Sequence, residues 1–278
     1  MKIAISAEST IDLPKELLDK YSINTVPFTI LLGDKIGLDG VITPDEIFDY
    51  VSKKKVLPKT SAVNQYQYEE HFSKLLENHD AIIHFSLSCE MSCAYANAVK
   101  ASKAFKNVYI IDSRSLSTGI ALLAIKASKM ANNGDSVERI IEQMKEDTGK
   151  VQAGFVLNKL DYLKKGGRCS GLVCFGANLL HIRPQILVKN GKMAPYKKYR
   201  GNYDYCVGQY CKDTLAEFSN NDKSVAFVTY TTASDEAVEC AYNYLKNAGF
   251  KEIYKTNAGA TISSHCGPNT LGILFMTK

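Results

Sequence analysis

The sequence lacks the long apolar segments that membrane insertion and secretion require. No apolar run in the 278 residues approaches the roughly 18 to 20 residues of a membrane helix, and residues 120–125 form one of the longest. Near the N-terminus, one lysine is followed by only three apolar side chains before Ser6, which is too short for the apolar part of a signal peptide. We therefore expect no membrane span and a cytoplasmic location.

The chain also lacks the short motifs of common nucleotide and hydrolase sites. It contains no G-x-x-x-x-G-K-[ST] phosphate loop, no G-x-G-x-x-G after the first predicted strand, no H-E-x-x-H and no G-x-S-x-G. Those patterns bring glycines against phosphates, histidines onto zinc, or a serine onto a strained turn. We therefore expect neither a nucleotide site nor a standard hydrolase site on this chain.

Eight cysteines are present, but their spacing predicts neither disulfides nor zinc. A chain of this length can form a hydrophobic core without covalent cross-links, and no secretory signal accompanies the cysteines. The pairs Cys89/Cys93 and Cys206/Cys211 lack the C-x2-C spacing of strong zinc sites. We expect free thiols and no bound metal.

Positive charge is concentrated in one segment of the chain. The formal net charge is +5. The segment from Lys150 to Asp213 contains twelve Lys or Arg and three Asp, so its net charge is +9 and that of the rest of the chain is −4. Such a segment is either a solvated basic face or a surface for an anionic partner. Because no C2H2, basic-zipper or RNP-type motif accompanies it, we expect no nucleic-acid partner.

Short β-branched runs alternate with helical patterns, which predicts an α/β fold with mainly parallel sheets. We expect two packed domains, 1–150 and 151–278. Asp12 is the predicted N-cap of the first helix, Thr43 to Glu46 form a capping box, and Lys189 to Lys192 form a hairpin turn. The predicted strands are 3–6, 25–32, 81–87, 108–111, 151–157, 185–188, 225–229, 252–255 and 272–276. The other predicted helices are 43–54, 65–77, 118–131, 136–146, 159–164, 203–217 and 234–246, with one more after Ser92.

Two candidate sites in the first half contain hydroxyl groups. Ser92 follows a buried strand and is placed as the N-cap or a first-turn residue of the next helix, where free amides can bind an anion. The plain alternative is a serine that only caps the helix. Thr60 and Ser61 lie in a loop between helices, and a simple turn is the alternative for them.

Two candidate sites in the second half contain cationic or titratable groups. In Gly166-Gly167-Arg168 the glycines let the backbone approach a ligand, and Arg168 can bind a carboxylate or phosphate bidentately. A helix C-cap followed by a solvated arginine is the alternative. His265 and Cys266 precede a Gly-Pro turn, where a histidine bonded only to backbone is the alternative.

Seven segments, in order, resemble the DegV family, the fatty-acid-binding subunits (FakB) of bacterial fatty acid kinase. The resemblance spans nearly the whole chain. Five segments depart from the family pattern. Glu8 replaces the first Asp of Asp-Ser-Thr-x-Asp-Leu, Ala62-Val63 replace the Gln-Pro that follows Thr-Ser, and Cys93-Ala94 replace Gly-Thr. His181 and Arg183 replace Asn and Lys of Asn-Ile-Lys-Pro, and Asn269 ends His-x-Gly-Pro-Gly. The matching segments begin at Ile3, Thr60, Ser88, Val108, Leu160, His181 and His265.

The resemblance implies two α/β domains with one long-chain fatty acid bound between them. It implies that Thr60, Ser92, Arg168 and His265 hold the carboxylate. Further head-group contacts are expected from the neighbouring Ser61, Cys93, Gly167 and Cys266.

The same resemblance implies a non-catalytic subunit that presents the carboxylate to a separate ATP-dependent fatty acid kinase. The product is an acyl phosphate for phospholipid synthesis. ATP and magnesium then belong to the kinase, and this chain needs no cofactor. Lys197, Lys198 and Arg200 of the basic segment are candidates for docking the kinase, and transient contact with a membrane surface is also open.

Two other functions fit the same residues. The first is a stand-alone acyl hydrolase in which His265 activates Ser92 and Arg168 holds the carboxyl group or oxyanion. No third triad member and no nucleophile elbow is evident in the sequence. The second is a carrier of another apolar acid that has no kinase partner.

Overall fold

The computed structural model describes residues 1–169, 171 and 182–278, and within them the chain has the predicted α/β fold. The strands are β1 (Ile3–Glu8), β2 (Ile23–Val26), β3 (Thr29–Leu32), β4 (Lys35–Leu38), β5 (Lys59–Ser61), β6 (Ala81–Ser86), β7 (Val108–Asp112), β8 (Val151–Leu157), β9 (Ile182–Lys189), β10 (Lys192–Arg200), β11 (Asn221–Tyr230), β12 (Glu252–Asn257) and β13 (Thr270–Thr277). The α-helices are α1 (Lys15–Lys20), α2 (Pro44–Lys54), α3 (Gln65–Leu76), α4 (Ala94–Ser102), α5 (Thr118–Asn132), α6 (Val137–Asp147), α7 (Asp161–Gly166), α8 (Tyr203–Glu217), α9 (Asp235–Asn247) and α10 (Ala260–Cys266).

The first sheet is parallel, as predicted, with the strand order β2-β1-β6-β7. All six residues of β6 are buried, which is typical of a parallel strand covered on both faces. The single strand predicted over residues 25–32 is wrong. Pro27 separates β2, in this sheet, from β3, in another, because proline cannot donate a ladder hydrogen bond.

The second sheet corrects the prediction of mainly parallel sheets. Its strand order is β10-β9-β8-β13-β11-β12, and only β11 and β12 run parallel. One cause is the predicted hairpin turn, which joins β9 to β10 through Asn190 and Gly191 at φ of 52° and 79°. A turn with both central residues in the left-handed region matches the twist of antiparallel strands.

A third, three-stranded sheet has the order β4-β3-β5 and was not predicted from the sequence. Its strands are only three or four residues long, too short to show a hydrophobic period. Ile30 of β3 pairs with Thr60 of β5 and is fully buried against α2 and α10. This sheet therefore holds Thr60 beside α10.

The predicted capping residues give two different outcomes. The capping box at α2 is confirmed, since Glu46 N–H donates to Thr43 Oγ1 at 3.3 Å and Thr43 N–H donates to Glu46 Oε2 at 3.0 Å. The prediction for Asp12 is wrong, because α1 begins at Lys15 and its N-cap is Pro14. The Asp12 carboxylate instead accepts a hydrogen bond from the distant Gly259 N–H.

Helix α5 connects the two larger sheets, and ten of its fifteen residues are buried. One hydrophobic cluster includes Ile5 of β1, Leu123 of α5 and Phe155 of β8, so both halves of the chain share a core. All strands of the first sheet end by Asp112, and all strands of the second begin at or after Val151. The domain boundary near Lys150 stays a prediction. No helix in the described part of the chain is long and apolar enough to cross a membrane.

Candidate functional site

The predicted polar residues meet around one cavity of about 260 Å³, which we call the polar cavity. It is lined by residues from both halves of the chain, most of them in loops or short elements, together with Met193 on β10 of the second sheet. Gly167 is not among the described residues that line it. The predicted residues that do line it are Thr60, Ser61, Ser92, Cys93, Arg168, His265 and Cys266.

Thr60 and His265 are in direct contact across this cavity. Thr60 Oγ1 and His265 Nε2 lie 2.9 Å apart and share a hydrogen bond, although 205 positions separate them in sequence. The other ring nitrogen, Nδ1, is buried and has no hydrogen-bond partner among the described residues. A methyl group on Gly166 would lie 2.8 Å from this Nδ1. The glycine therefore allows backbone to approach His265, where the sequence predicted an approach to a ligand.

The environment of His265 favours the neutral imidazole. Burial, and then the positive charge of Arg168, lower the pKa of His265 to about 4. Near pH 7 the ring is therefore an uncharged donor and acceptor. It can bind an anion through one N–H but contributes no net charge.

Arg168 carries the only charge near pH 7 among the described lining residues, given a neutral His265. Its side chain is exposed and follows the C-terminal end of α7, where Nη1 donates to the Gly166 carbonyl at 2.8 Å. The remaining guanidinium N–H groups can donate hydrogen bonds to a carboxylate or phosphate, for which this planar fork is well suited. The cavity is thus suited to an anionic group.

Ser92 lies one residue before its predicted cap position, because Cys93 is the N-cap of α4. The Ser92 hydroxyl oxygen still accepts a hydrogen bond from Ala94 N–H at 3.1 Å. Its proton remains available to an acceptor in the cavity. Cys93 is exposed and lines the same wall, as does Ser61 on β5.

Glu8 holds the start of the loop that carries Ser92. This fully buried carboxylate accepts hydrogen bonds from Leu87 N–H at 2.8 Å and from Ser86 Oγ at 2.8 Å, and it contacts His84 Nε2 at 3.2 Å. Burial raises the pKa of Glu8, but the hydrogen bond and charge of His84, together with the hydrogen bonds from Tyr68 and Ser86, outweigh burial and leave that pKa below its ordinary value. Glu8 therefore binds the backbone at the first residue of the cavity loop as an anion.

A second, small cavity of about 30 Å³ continues beyond the first, and we call it the apolar cavity. Leu116, Ile262 and Cys266 line both cavities, so these side chains form the partition between them. Beyond the partition the walls include Ala153 and Phe155 of β8 and Leu274 of β13. The combined space therefore has a polar end at Arg168 and an apolar end against the second sheet.

Eight lining residues of the polar cavity were not predicted from the sequence. Most are apolar or lie on short elements, so they resemble ordinary core residues in a single sequence. For Leu87 and Met91 alone, the position after a strand end could have indicated a place in the site. The eight are Phe28, Ala62, Leu87, Met91, Leu116, Met193, Thr261 and Ile262.

Part of the basic segment is neutralised by acids from elsewhere in the chain. Lys197 pairs with Glu217 at 3.0 Å, and Lys192 pairs with Glu90 at 3.2 Å. Lys198 and Arg200 are exposed on β10, an edge strand of the second sheet. Of the predicted docking residues, Lys197 is thus already engaged within the chain.

Two further predictions concern metals and the segment around His181. No group of three or more potential metal-ligating residues occurs within 1–169, 171 and 182–278. His181, which begins one of the seven matching segments, lies outside the described residues, and Ile182 starts β9.

Comparison with known proteins identifies the family. The model of the family described as "Uncharacterised protein, DegV family" matches residues 2–278. The chain belongs to the DegV family. A relative from Thermotoga maritima named fatty acid-binding protein is 30% identical over 284 residues, which cover 98% of this chain and 96% of that one.

Solved DegV structures have the same fold over the full chain. A structure described as fatty acid binding of a DegV family protein from Thermus thermophilus has a TM-score of 0.93 and 26% identity, with complete coverage of both chains. DegV from Bacillus subtilis, described as a fatty acid binding protein, has a TM-score of 0.86 and 25% identity, again with complete coverage. The antiparallel second sheet found here therefore belongs to a fold shared with proteins described as binding fatty acids.

Proposed function

We propose that this DegV chain binds one long-chain fatty acid and presents its carboxylate to a separate ATP-dependent fatty acid kinase. The observation that carries the proposal is the pair of adjoining cavities, polar at Arg168 and apolar beyond Leu116 and Ile262. The full-length relatives described as fatty-acid-binding proteins support the same ligand. In this proposal the carboxylate lies at the polar end and the tail passes the partition.

The two ends supply different parts of the binding free energy. Each buried methylene contributes about 0.8 kcal/mol, so a fifteen-methylene tail gives a gross gain of roughly 12 kcal/mol. Ordering the ligand and removing its free motion cost several kcal/mol of this gain. The remainder corresponds to tight but reversible binding. The tail supplies the affinity, and the head group fixes which end stays at the polar cavity.

Four side chains would hold the carboxylate. Arg168 supplies the positive charge, while the hydroxyls of Thr60 and Ser92 and the neutral imidazole of His265 supply hydrogen bonds. Contacts from Ser61, Cys93 and Cys266 are proposed beside them, since these residues also line the cavity. Gly167 would act by ending α7, where it is the C-cap, and not by touching the ligand.

The proposed reaction takes place on the bound carboxylate. One carboxylate oxygen attacks the γ-phosphorus of ATP and forms a new O–P bond, while the bond to the β,γ-bridging oxygen breaks and ADP leaves. Phosphoryl transfer depends mainly on positioning and charge. This chain would therefore hold the acceptor oxygen in place, and the kinase would hold the nucleotide and magnesium. The acyl phosphate would then serve phospholipid synthesis in the cytoplasm.

The described contacts do not form the triad that a serine hydrolase needs. His265 Nε2 bonds to Thr60, Ser92 Oγ bonds to Ala94 N–H, and His265 Nδ1 has no carboxylate partner among the described residues. A hydrolytic serine needs a base in hydrogen-bond reach and a group that orients the base. We therefore prefer binding and presentation over hydrolysis.

The test of the kinase step uses the whole chain, ATP, magnesium and a fatty acid kinase catalytic subunit. We expect a fatty hydroxamate after trapping with hydroxylamine, and none when either protein is omitted. Fatty-acid binding without hydroxamate would favour a carrier with no kinase partner. Ester turnover by the chain alone would favour the hydrolase.

The same assay tests the docking surface. Exchanging Lys198 and Arg200 for Glu should reduce acyl phosphate formation, because the edge strand β10 would then repel an acidic kinase surface. Fatty-acid affinity should stay unchanged, since neither residue lines the polar cavity. Unchanged turnover would exclude this edge as the docking site.

A further inference from the structure

We infer that Asp12 and Asp39 are positioning residues that set the location of His265 by holding the first turn of α10. This inference rests on the proposed function, because it concerns the side chain proposed to bind the carboxylate. Asp12 belongs to the opening Glu8-Ser9-Thr10-Ile11-Asp12 segment, for which the sequence predicted only a helix cap. Neither carboxylate lines the polar cavity.

The first turn of α10 is held by side chains from far along the chain. Its own N-cap, Gly259, has no side chain to bind the free N–H groups. Asp12 Oδ1 accepts from Gly259 N–H at 2.8 Å, and Asp39 Oδ1 accepts from Ala260 N–H at 2.8 Å. Asp39 Oδ2 also faces Thr261 N–H at 3.3 Å. Two carboxylates thus satisfy three backbone donors that a helix start leaves free.

Both carboxylates are themselves fixed. Asp12 and Asp39 are only 5% and 7% exposed, so they are held in the protein interior rather than in solvent. Ser117 Oγ donates to Asp12, and Ser9 Oγ donates to Asp39 Oδ2 at 2.9 Å. Ser9 also accepts from Phe28 N–H at 3.1 Å, and Phe28 lines the polar cavity. The hydrogen-bonded group thereby joins the segment after β1, the segment before α2 and the start of α10.

The short helix α10 links the position of its first turn to the position of His265. Gly259 and His265 are six residues apart, which corresponds to about 9 Å of helix. Over that distance a single hydrogen-bonded helix moves as a rigid unit. The same helix places Thr261, Ile262, His265 and Cys266 on the cavity wall. A change at its first turn therefore shifts the imidazole relative to Thr60.

A double-mutant cycle separates positioning from general stability. We expect Asp39→Asn to weaken binding of oleate about tenfold, which corresponds to a coupling in the middle of the usual range. In a His265→Ala background, Asp39→Asn should change the affinity by less than about twofold, since the group it positions is gone. An equal loss in both backgrounds, or no loss in either, would overturn the inference.

The matched control is Asp147→Asn. Asp147 is also a buried carboxylate, at 1% exposure, but it pairs with Lys126 and does not line the polar cavity. We expect this variant to lower the unfolding temperature and to leave the oleate affinity unchanged. If Asp39→Asn does not fold, Ser9→Ala removes one hydrogen bond to Asp39 and should give a smaller effect with the same dependence on His265.

An NMR measurement on the unliganded protein keeps this inference separate from the proposed function. The chain has five histidines, and His265→Ala assigns the ring signals of His265. We expect Asp39→Asn and Asp12→Asn to shift those signals and Asp147→Asn to leave them in place. Unmoved signals in both aspartate variants would refute the positioning role. Failure of the wild-type chain to bind oleate would instead refute the proposed function.

Discussion

The two ends of the binding space are built in different ways. The polar end is assembled from four separate short segments, which bring Thr60, Ser92, Arg168 and His265 to one cavity, and a hydrogen bond joins Thr60 to His265 across 205 positions. The apolar end is formed mainly by regular strands, where Phe155 pairs with Gly272 and Ala153 pairs with Leu274. Orientation thus depends on a few directed contacts, while affinity depends on non-directional apolar area. Changes at the two ends should therefore have different consequences.

The largest expected effect comes from a charge placed at the partition. Ile262→Asp should weaken binding of a long-chain fatty acid about 100-fold, because several methylenes lose burial at about 0.8 kcal/mol each. Ile262 is only partly buried, so the fold should tolerate the change. A displacement titration measures the affinity, and Ile262→Leu is the matched control that should bind normally. Normal binding by the Asp variant would place the tail elsewhere.

A second effect distinguishes the ends because a histidine, His265, lines the polar cavity and none is among the described residues that line the apolar cavity. The pKa of His265 is about 4 in the folded chain and near 6.5 when unfolded. The unfolded state binds more protons between these values, so stability is lost as pH falls through this window. We expect this histidine to account for about 2 kcal/mol of unfolding free energy between pH 7 and pH 5.

The measurement is the unfolding free energy from denaturant titration at several pH values. The curve for His265→Gln should be flatter than the wild-type curve by that amount. His71 is the comparison within the chain, since burial and then His84 lower its pKa to about 3 and it does not line the polar cavity. Parallel curves for wild type and His265→Gln would show that the ring is not buried as described.

The charge at the polar end should matter less for affinity than the tail. Arg168→Ala should weaken fatty-acid binding about twentyfold, the usual range for a charge-assisted hydrogen bond. Binding of the corresponding methyl ester should hardly change, because the ester carries no anion. The control is Arg139→Ala, which removes an exposed arginine that pairs with Glu142. Equal losses for acid and ester would argue against a carboxylate at Arg168.

The smallest expected effect separates two neighbouring hydroxyls on β5. Thr60→Val removes the hydrogen bond to His265 and should weaken binding about fivefold. Ser61→Ala should change it by less than about twofold, because Ser61 is exposed and its hydroxyl donates a long, 3.5 Å hydrogen bond to the Ala62 carbonyl. A titration of both variants compares them. A larger effect for Ser61 would reverse the assignment of the head-group contact.

The sequence could predict the elements whose periodicity or chemistry is local. The capping box at Thr43, the Asn190-Gly191 hairpin and helix α8 over Tyr203–Glu217 all follow from residues within a few positions. The direction of β13 does not follow from nearby residues, because an antiparallel strand placed between β8 and β11 depends on pairing across more than forty residues.

The site was less predictable than the fold for a similar reason. A position after a strand end indicated Ser92, positions at glycine-containing turns indicated Arg168 and His265, and the structure brings all three to one cavity. Helix α10 was missed because its seven residues are mostly small or polar and show no apolar period. Its start is held by Asp12 from 247 positions away, a contact that no local pattern reveals.

The most direct test of the central claim is solvent extraction of the purified full-length chain followed by mass spectrometry, with titration of added palmitate and oleate. The account predicts one long-chain fatty acid per chain, either carried through purification or taken up from solution. A chain that yields no fatty acid and takes up neither acid would contradict it.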